Sequence, residues 1–65
     1  ESLVRLAYTT ADKVRSSKNS ILLEPMNPFE RRLIHTTLND IPDVETKSEG
    51  EGVYKQVRVL YKGIR

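Results

Sequence analysis

The chain contains no cysteine and no tryptophan, and only one histidine and one phenylalanine. Without cysteine there is no disulfide, no thiol nucleophile and no cysteine-based zinc site. One histidine among scattered carboxylates lacks the ligand spacing of a metal centre, so no metal and no other cofactor is expected. No apolar run is long enough to cross a bilayer and no signal-peptide pattern stands out, so no membrane insertion is expected. A cysteine-free chain fits a reducing compartment, and the expected location is the cytoplasm. Glycine and proline are few, three of each, and there is no repeat, low-complexity segment or internal linker. The 65 residues suffice for a single domain, 1–65, with a thin core.

Net charge is only +2, so its distribution matters more than its size. Asp40, Asp43, Glu45, Glu49 and Glu51 face a single cation, Lys47, in the same stretch. After Val53 come Lys55, Arg58, Lys62 and Arg65 with no acid between them, and Lys13, Arg15 and Lys18 form a second basic group. Segregation of this kind suits a protein with one positive face, although scattered surface charge would give a similar pattern.

The order of elements follows from periodicity. Leu3, Ala7, Ala11 and Val14 recur at helical spacing from Ser2 to about Lys18, with Leu6 and Thr10 beside them. Ile21 to Glu24 is a short apolar run that suits a strand, closed by Pro25. Asn27-Pro28-Phe29-Glu30 is a helix start, with a capping side chain, proline at the first helical position and a glutamate that reaches back to the cap. The helix should run from Pro28 to about Asp40, before Ile41-Pro42. Its apolar face would hold Phe29, Leu33, Ile34, Thr37, Leu38 and Ile41, which makes Phe29 a core residue. Arg31, Arg32, His35 and Asn39 would lie on the polar face. Val44 to Glu49 and Val53 to Lys62 alternate, and Gly50-Glu51-Gly52 between them forms the turn of a hairpin. Val57, Val59 and Tyr61 share one side of the last strand with Lys55, and Tyr54, Gln56, Arg58 and Leu60 share the other.

Two amphipathic helices must bury their stripes against something, and one face of the sheet is the available surface. The expected fold is therefore α+β, two helices packed on one face of a three-stranded antiparallel sheet, in the order helix-strand-helix-strand-strand. Lys55, at the start of the last strand, should emerge at the rim of the covered face, where Arg31 could meet it.

Arg31-Arg32-Leu33-Ile34-His35 is an Arg-xxx-His motif. It follows Leu23-Glu24-Pro25-Met26-Asn27-Pro28-Phe29-Glu30 and precedes Asp43-Val44-Glu45-Thr46 and Ser48-Glu49-Gly50-Glu51-Gly52. This combined string resembles the R-three-H domain, a single-stranded nucleic-acid-binding module, and most closely the form at the C-terminus of bacterial Jag (SpoIIIJ-associated) proteins. The resemblance covers nearly the whole chain. It implies a cytoplasmic RNA-binding protein that carries a KH domain just before this one. It also implies association with a small partner KH protein and with cell-envelope and cell-shape control. The family usually has arginine where this chain has Lys55, often a second basic residue at Gln56, and often proline at Val53. Lysine keeps the charge but replaces a planar fork by a point charge.

On this reading Arg31, His35 and Lys55 contact phosphate, with Arg32 farther round the helix and Arg58 on the uncovered sheet face as further nucleic-acid-binding residues. Arginine offers a forked phosphate contact, and histidine either donates to phosphate or stacks on a base. Catalysis is not expected. Thr36, Thr37 and Ser48 stand in no nucleophile motif, and Asn39 could at most orient the imidazole. Gly50 and Gly52 precede no helix and read as turn residues rather than a phosphate loop. The expected partner is single-stranded RNA or DNA, with no small-molecule substrate. The rival expectation is a protein-interaction module using the open sheet face around Tyr54, Arg58 and Leu60.

Overall fold

The computed structural model describes residues 2–63. Glu1, Ile64 and Arg65 lie outside the described residues, and Arg65 of the C-terminal basic group with them. The elements are α1 (Leu3–Ser17), β1 (Ile21–Leu22), α2 (Pro28–Leu38), β2 (Val44–Glu49) and β3 (Gln56–Tyr61). All strand pairs are antiparallel, in the order β1-β3-β2. The expected architecture is the one observed. No helix among the described residues is long and apolar enough to cross a membrane.

Local chemistry sets the element ends. Ser2 caps α1, its hydroxyl accepting from the amides of Val4 at 3.2 Å and Arg5 at 3.4 Å. In α2 the Asn27 side chain accepts from the Glu30 amide at 2.8 Å while the Glu30 carboxylate accepts from the Asn27 amide at 3.0 Å. A cap of this kind contributes about 1 kcal/mol. The helix closes at Leu38, two residues short of Asp40, because tight bonds from Asn39 to Thr36 and from Ile41 to Leu38 turn the chain before Pro42. The edge strand is shorter than its apolar run, since Pro25 has no amide to donate to the ladder. Pairing nevertheless resumes at Met26, whose amide and carbonyl both bond Lys55. Gly50 and Gly52 have φ of 113° and 81°, a region that favours glycine. They let the hairpin loop extend to Lys55, so β3 opens at Gln56, and Tyr54 belongs to the loop rather than to the sheet face.

The core lies between the helices and the inner sheet face. It comprises Ala7, Ala11 and Val14 of α1, Leu23 and Met26, Ile34 and Leu38 of α2, and Val44, Val57 and Val59. Ala7 and Ala11, both fully buried, let α1 approach closely. Asp43 is buried beneath Arg15, whose Nε donates to its carboxylate at 3.0 Å.

The main departure from expectation concerns the phase of α2. Phe29 is 79% exposed and Leu33 is 36% exposed, so neither belongs to the core. The apolar arc of α2 spans about half the helix circumference at 100° per residue, too wide for the space available. Ile34 and Leu38, at 0% and 2% exposure, take the centre. Turning them inward carries Phe29 and Leu33 outward, and carries Arg31 and His35 towards the rim of the sheet, where both are half-buried.

Candidate functional site

The rim is built where three chain segments converge: the bridge at Met26 and Lys55, the first turns of α2, and the β2–β3 loop. Arg31 ties them together. Its Nε donates to the Met26 carbonyl at 3.2 Å and its Nη2 donates to the Val53 carbonyl at 3.1 Å. The Met26 carbonyl also accepts from the Lys55 amide at 3.1 Å. The guanidinium is thus fixed edge-on by two neutral acceptors, and its Nη1 makes no hydrogen bond among the described residues. Gly50 passes close to Lys55, so that a Cβ on it would lie 3.7 Å from the Lys55 Cα. The loop therefore folds over the base of Lys55.

His35 stands one turn along α2 from Arg31 and reaches the inner face of β2. Its Nδ1 contacts the Thr46 hydroxyl and its Nε2 lies 3.1 Å from the Ser48 hydroxyl. A neutral imidazole matches this pair, donating from one nitrogen and accepting at the other. Burial, and secondarily the charge of Arg31, hold the His35 pKa below its ordinary value. The neutral form of His35 therefore predominates at neutral pH. A base whose pKa is depressed by folding stabilises the fold in full above its unfolded pKa and loses that contribution as pH falls. The melting midpoint should drop between about pH 7.5 and pH 5.5, and by less in His35→Gln. Equal drops in a pair of thermal melts would remove the linkage.

The other sequence-predicted residues separate. Arg32 is exposed on α2, about 60° round the helix from His35. Arg58 is not at this rim. It lies on the open sheet face, where its Nε and Nη2 donate to the two carboxylate oxygens of Glu49 at 2.7 and 3.2 Å and its Nη1 donates to Ser20 at 3.1 Å. That pairing lowers the Glu49 pKa. Arg15 and Arg58 are thus neutralised by carboxylates, whereas Arg31, Arg32 and Lys55 have no acidic partner among the described residues.

Thr46 escaped the reading of the sequence, and Ser48 entered it only as a hydroxyl near His35 with no nucleophile motif around it. The available signal was the inner side of β2, where Val44, Thr46 and Ser48 grow more polar towards the loop. An inner strand face that turns polar marks a place where the core ends and a polar group is received.

Residues 1–61 match the R-three-H domain family. Among curated proteins, an RNA-binding protein KhpB of Clostridium symbiosum is 45% identical over 62 residues, covering 95% of this chain and 28% of that protein. RNA-binding protein KhpB of Bacillus subtilis (strain 168) is 41% identical over 64 residues, covering 95% of this chain and 31% of that protein. A protein of the same name from Lactiplantibacillus plantarum is 41% identical over 61 residues, covering 94% of this chain and 19% of that protein. The chain thus spans less than a third of the length of each relative.

Proposed function

The chain belongs to the R-three-H domain family, and on that premise we propose that it binds single-stranded nucleic acid, RNA in particular, without a chemical step. The observation that carries the reading is the state of Arg31. Two backbone carbonyls orient its guanidinium, and no carboxylate among the described residues neutralises it. A guanidinium pre-positioned by neutral acceptors keeps its charge for an incoming phosphate and needs little reordering to meet it.

Arg31 supplies the oriented phosphate contact, Lys55 a second cation at the same rim, and Arg32 a third on the exposed side of α2. Neutral in its predominant form, His35 adds little positive charge. It braces α2 against β2 through Thr46 and Ser48, one turn along the helix from Arg31. Arg58, already paired with Glu49, acts on the sheet and not on the ligand.

In the whole protein we place this domain after a KH domain, in a cytoplasmic RNA-binding protein that works with a small KH partner in cell-envelope and cell-shape control. The string from Leu23 to Gly52 supports that placement through the family it resembles.

The test is a titration of a short single-stranded RNA over a range of salt. Each phosphate neutralised on a single strand contributes about −0.7 to the slope of log affinity against log salt. Two to three contacts predict a slope of roughly −1.5 to −2. A slope near zero would point to an apolar protein interface instead.

A further inference from the structure

We infer that Phe29 is a base-stacking platform, and that the shallow cleft beside it receives one base of the strand whose phosphates are held at Arg31. The inference rests on the nucleic-acid reading above and names how that site would grip the base itself.

Phe29 is the most exposed large apolar side chain among the described residues, at 79%. With Arg32, Leu33 and Thr36 it lines a cleft of about 210 Å³ on the outer side of α2. No other described residue lines this cleft. The helix start fixes the backbone that carries the ring, since Phe29 sits directly after Pro28 and inside the Asn27–Glu30 capping box.

The choice of occupant comes from position and charge. Around α2 the order is Arg31, His35, Asn39, Arg32, Thr36, Phe29, Leu33, each step about 20–40° at 100° per residue. Arg32 is therefore the link between the phosphate rim and the cleft, and the two form one continuous strip. The cleft's lining contains a cation and no acid, which suits a polyanion. A strand whose backbone follows Arg31 and Arg32 delivers a base to the Phe29 ring. Aromatic stacking accepts any base, because every base presents a π-face.

The experiment compares a short single-stranded RNA with an oligonucleotide of the same backbone and length that lacks bases. It uses wild type, Phe29→Ala, Phe29→Leu and Phe29→Trp. Phe29→Ala should weaken RNA binding roughly 5- to 150-fold, leave binding of the abasic strand unchanged and leave the salt slope unchanged. Phe29→Leu, apolar but without a π-face, should lose affinity for RNA as well. Phe29→Trp should bind RNA at least as well as wild type, and the RNA should quench its fluorescence. Because the side chain lies outside the core, these variants should keep the wild-type melting midpoint. If wild type binds RNA with a steep salt slope and Phe29→Ala or Phe29→Leu binds equally well, the stacking is wrong and the phosphate site stands. If Phe29→Ala weakens both oligonucleotides alike, the residue acts on the helix rather than on a base, and the proposal falls. If wild type binds neither, the nucleic-acid reading fails and the stacking with it.

Discussion

Truncating Ile34 to alanine should come close to unfolding the protein. Ile34 is fully buried on α2, where it packs into the core with Ala7 and Ala11 of α1 and Val57 and Val59 of β3. Isoleucine-to-alanine changes at such sites cost about 2–5 kcal/mol. A 65-residue domain has roughly 3–10 kcal/mol in total at ordinary per-residue stability. The melting midpoint should fall by roughly 10–40 °C at about 4–8 °C per kcal/mol. Phe29→Ala is the informative companion. The periodicity of the sequence puts Phe29 and Ile34 on one face, but the structure exposes the first and buries the second. Phe29→Ala should stay within about 0.5 kcal/mol of wild type. Comparable losses for both in denaturant titrations would restore the phase read from the sequence.

Replacing Arg31 by alanine should have the largest effect on binding. A hydrogen bond to a charged group contributes about 1.5–3 kcal/mol, so its loss weakens affinity about 10- to 150-fold and flattens the salt slope by about 0.7 on a single strand. The same change removes the donors to the Met26 and Val53 carbonyls, which loosens the β2–β3 loop and costs about 1 kcal/mol of stability. Arg31→Lys separates the two roles. It keeps the charge, so the salt slope should stay near the wild-type value. It loses the planar fork that reaches two carbonyls at once, so affinity should remain well below wild type. Full recovery of affinity by Arg31→Lys would mean that charge alone matters at this position and that the orientation imposed by Met26 and Val53 does nothing.

Much of the fold was legible because it is written locally. The capping box at Asn27 and Glu30, the alternation of Val44 to Glu49 and the turn glycines 50 and 52 each act within a few residues. Each appears where the pattern put it. The phase of α2 was not legible. An apolar arc as wide as Phe29 to Leu38 leaves its centre undefined until the layers around it are known. What chose the centre was the fit of Ile34 and Leu38 to the core, with the His35 ring received by Thr46 and Ser48 on a strand distant in sequence.

The candidate site divides in the same way. Arg31 and His35 were visible as helical neighbours, and the placing of Lys55 near them followed from strand alternation. The acceptors that orient Arg31 were invisible, since they are main-chain carbonyls of residues whose side chains carry no signal. Arg58 looked as available as Arg31 in the sequence, and only the cross-strand geometry revealed its carboxylate partner.

The most direct test of a localised phosphate site is one comparison of two arginines. Arg5 is exposed on α1 and carries the same charge as Arg31 without its carbonyl frame. A short single-stranded RNA is titrated against wild type, Arg31→Ala and Arg5→Ala at two salt concentrations. The account predicts a loss of at least about tenfold for Arg31→Ala and no more than about twofold for Arg5→Ala. Equal losses would mean that the RNA is held by diffuse charge, and would contradict a site built around Arg31.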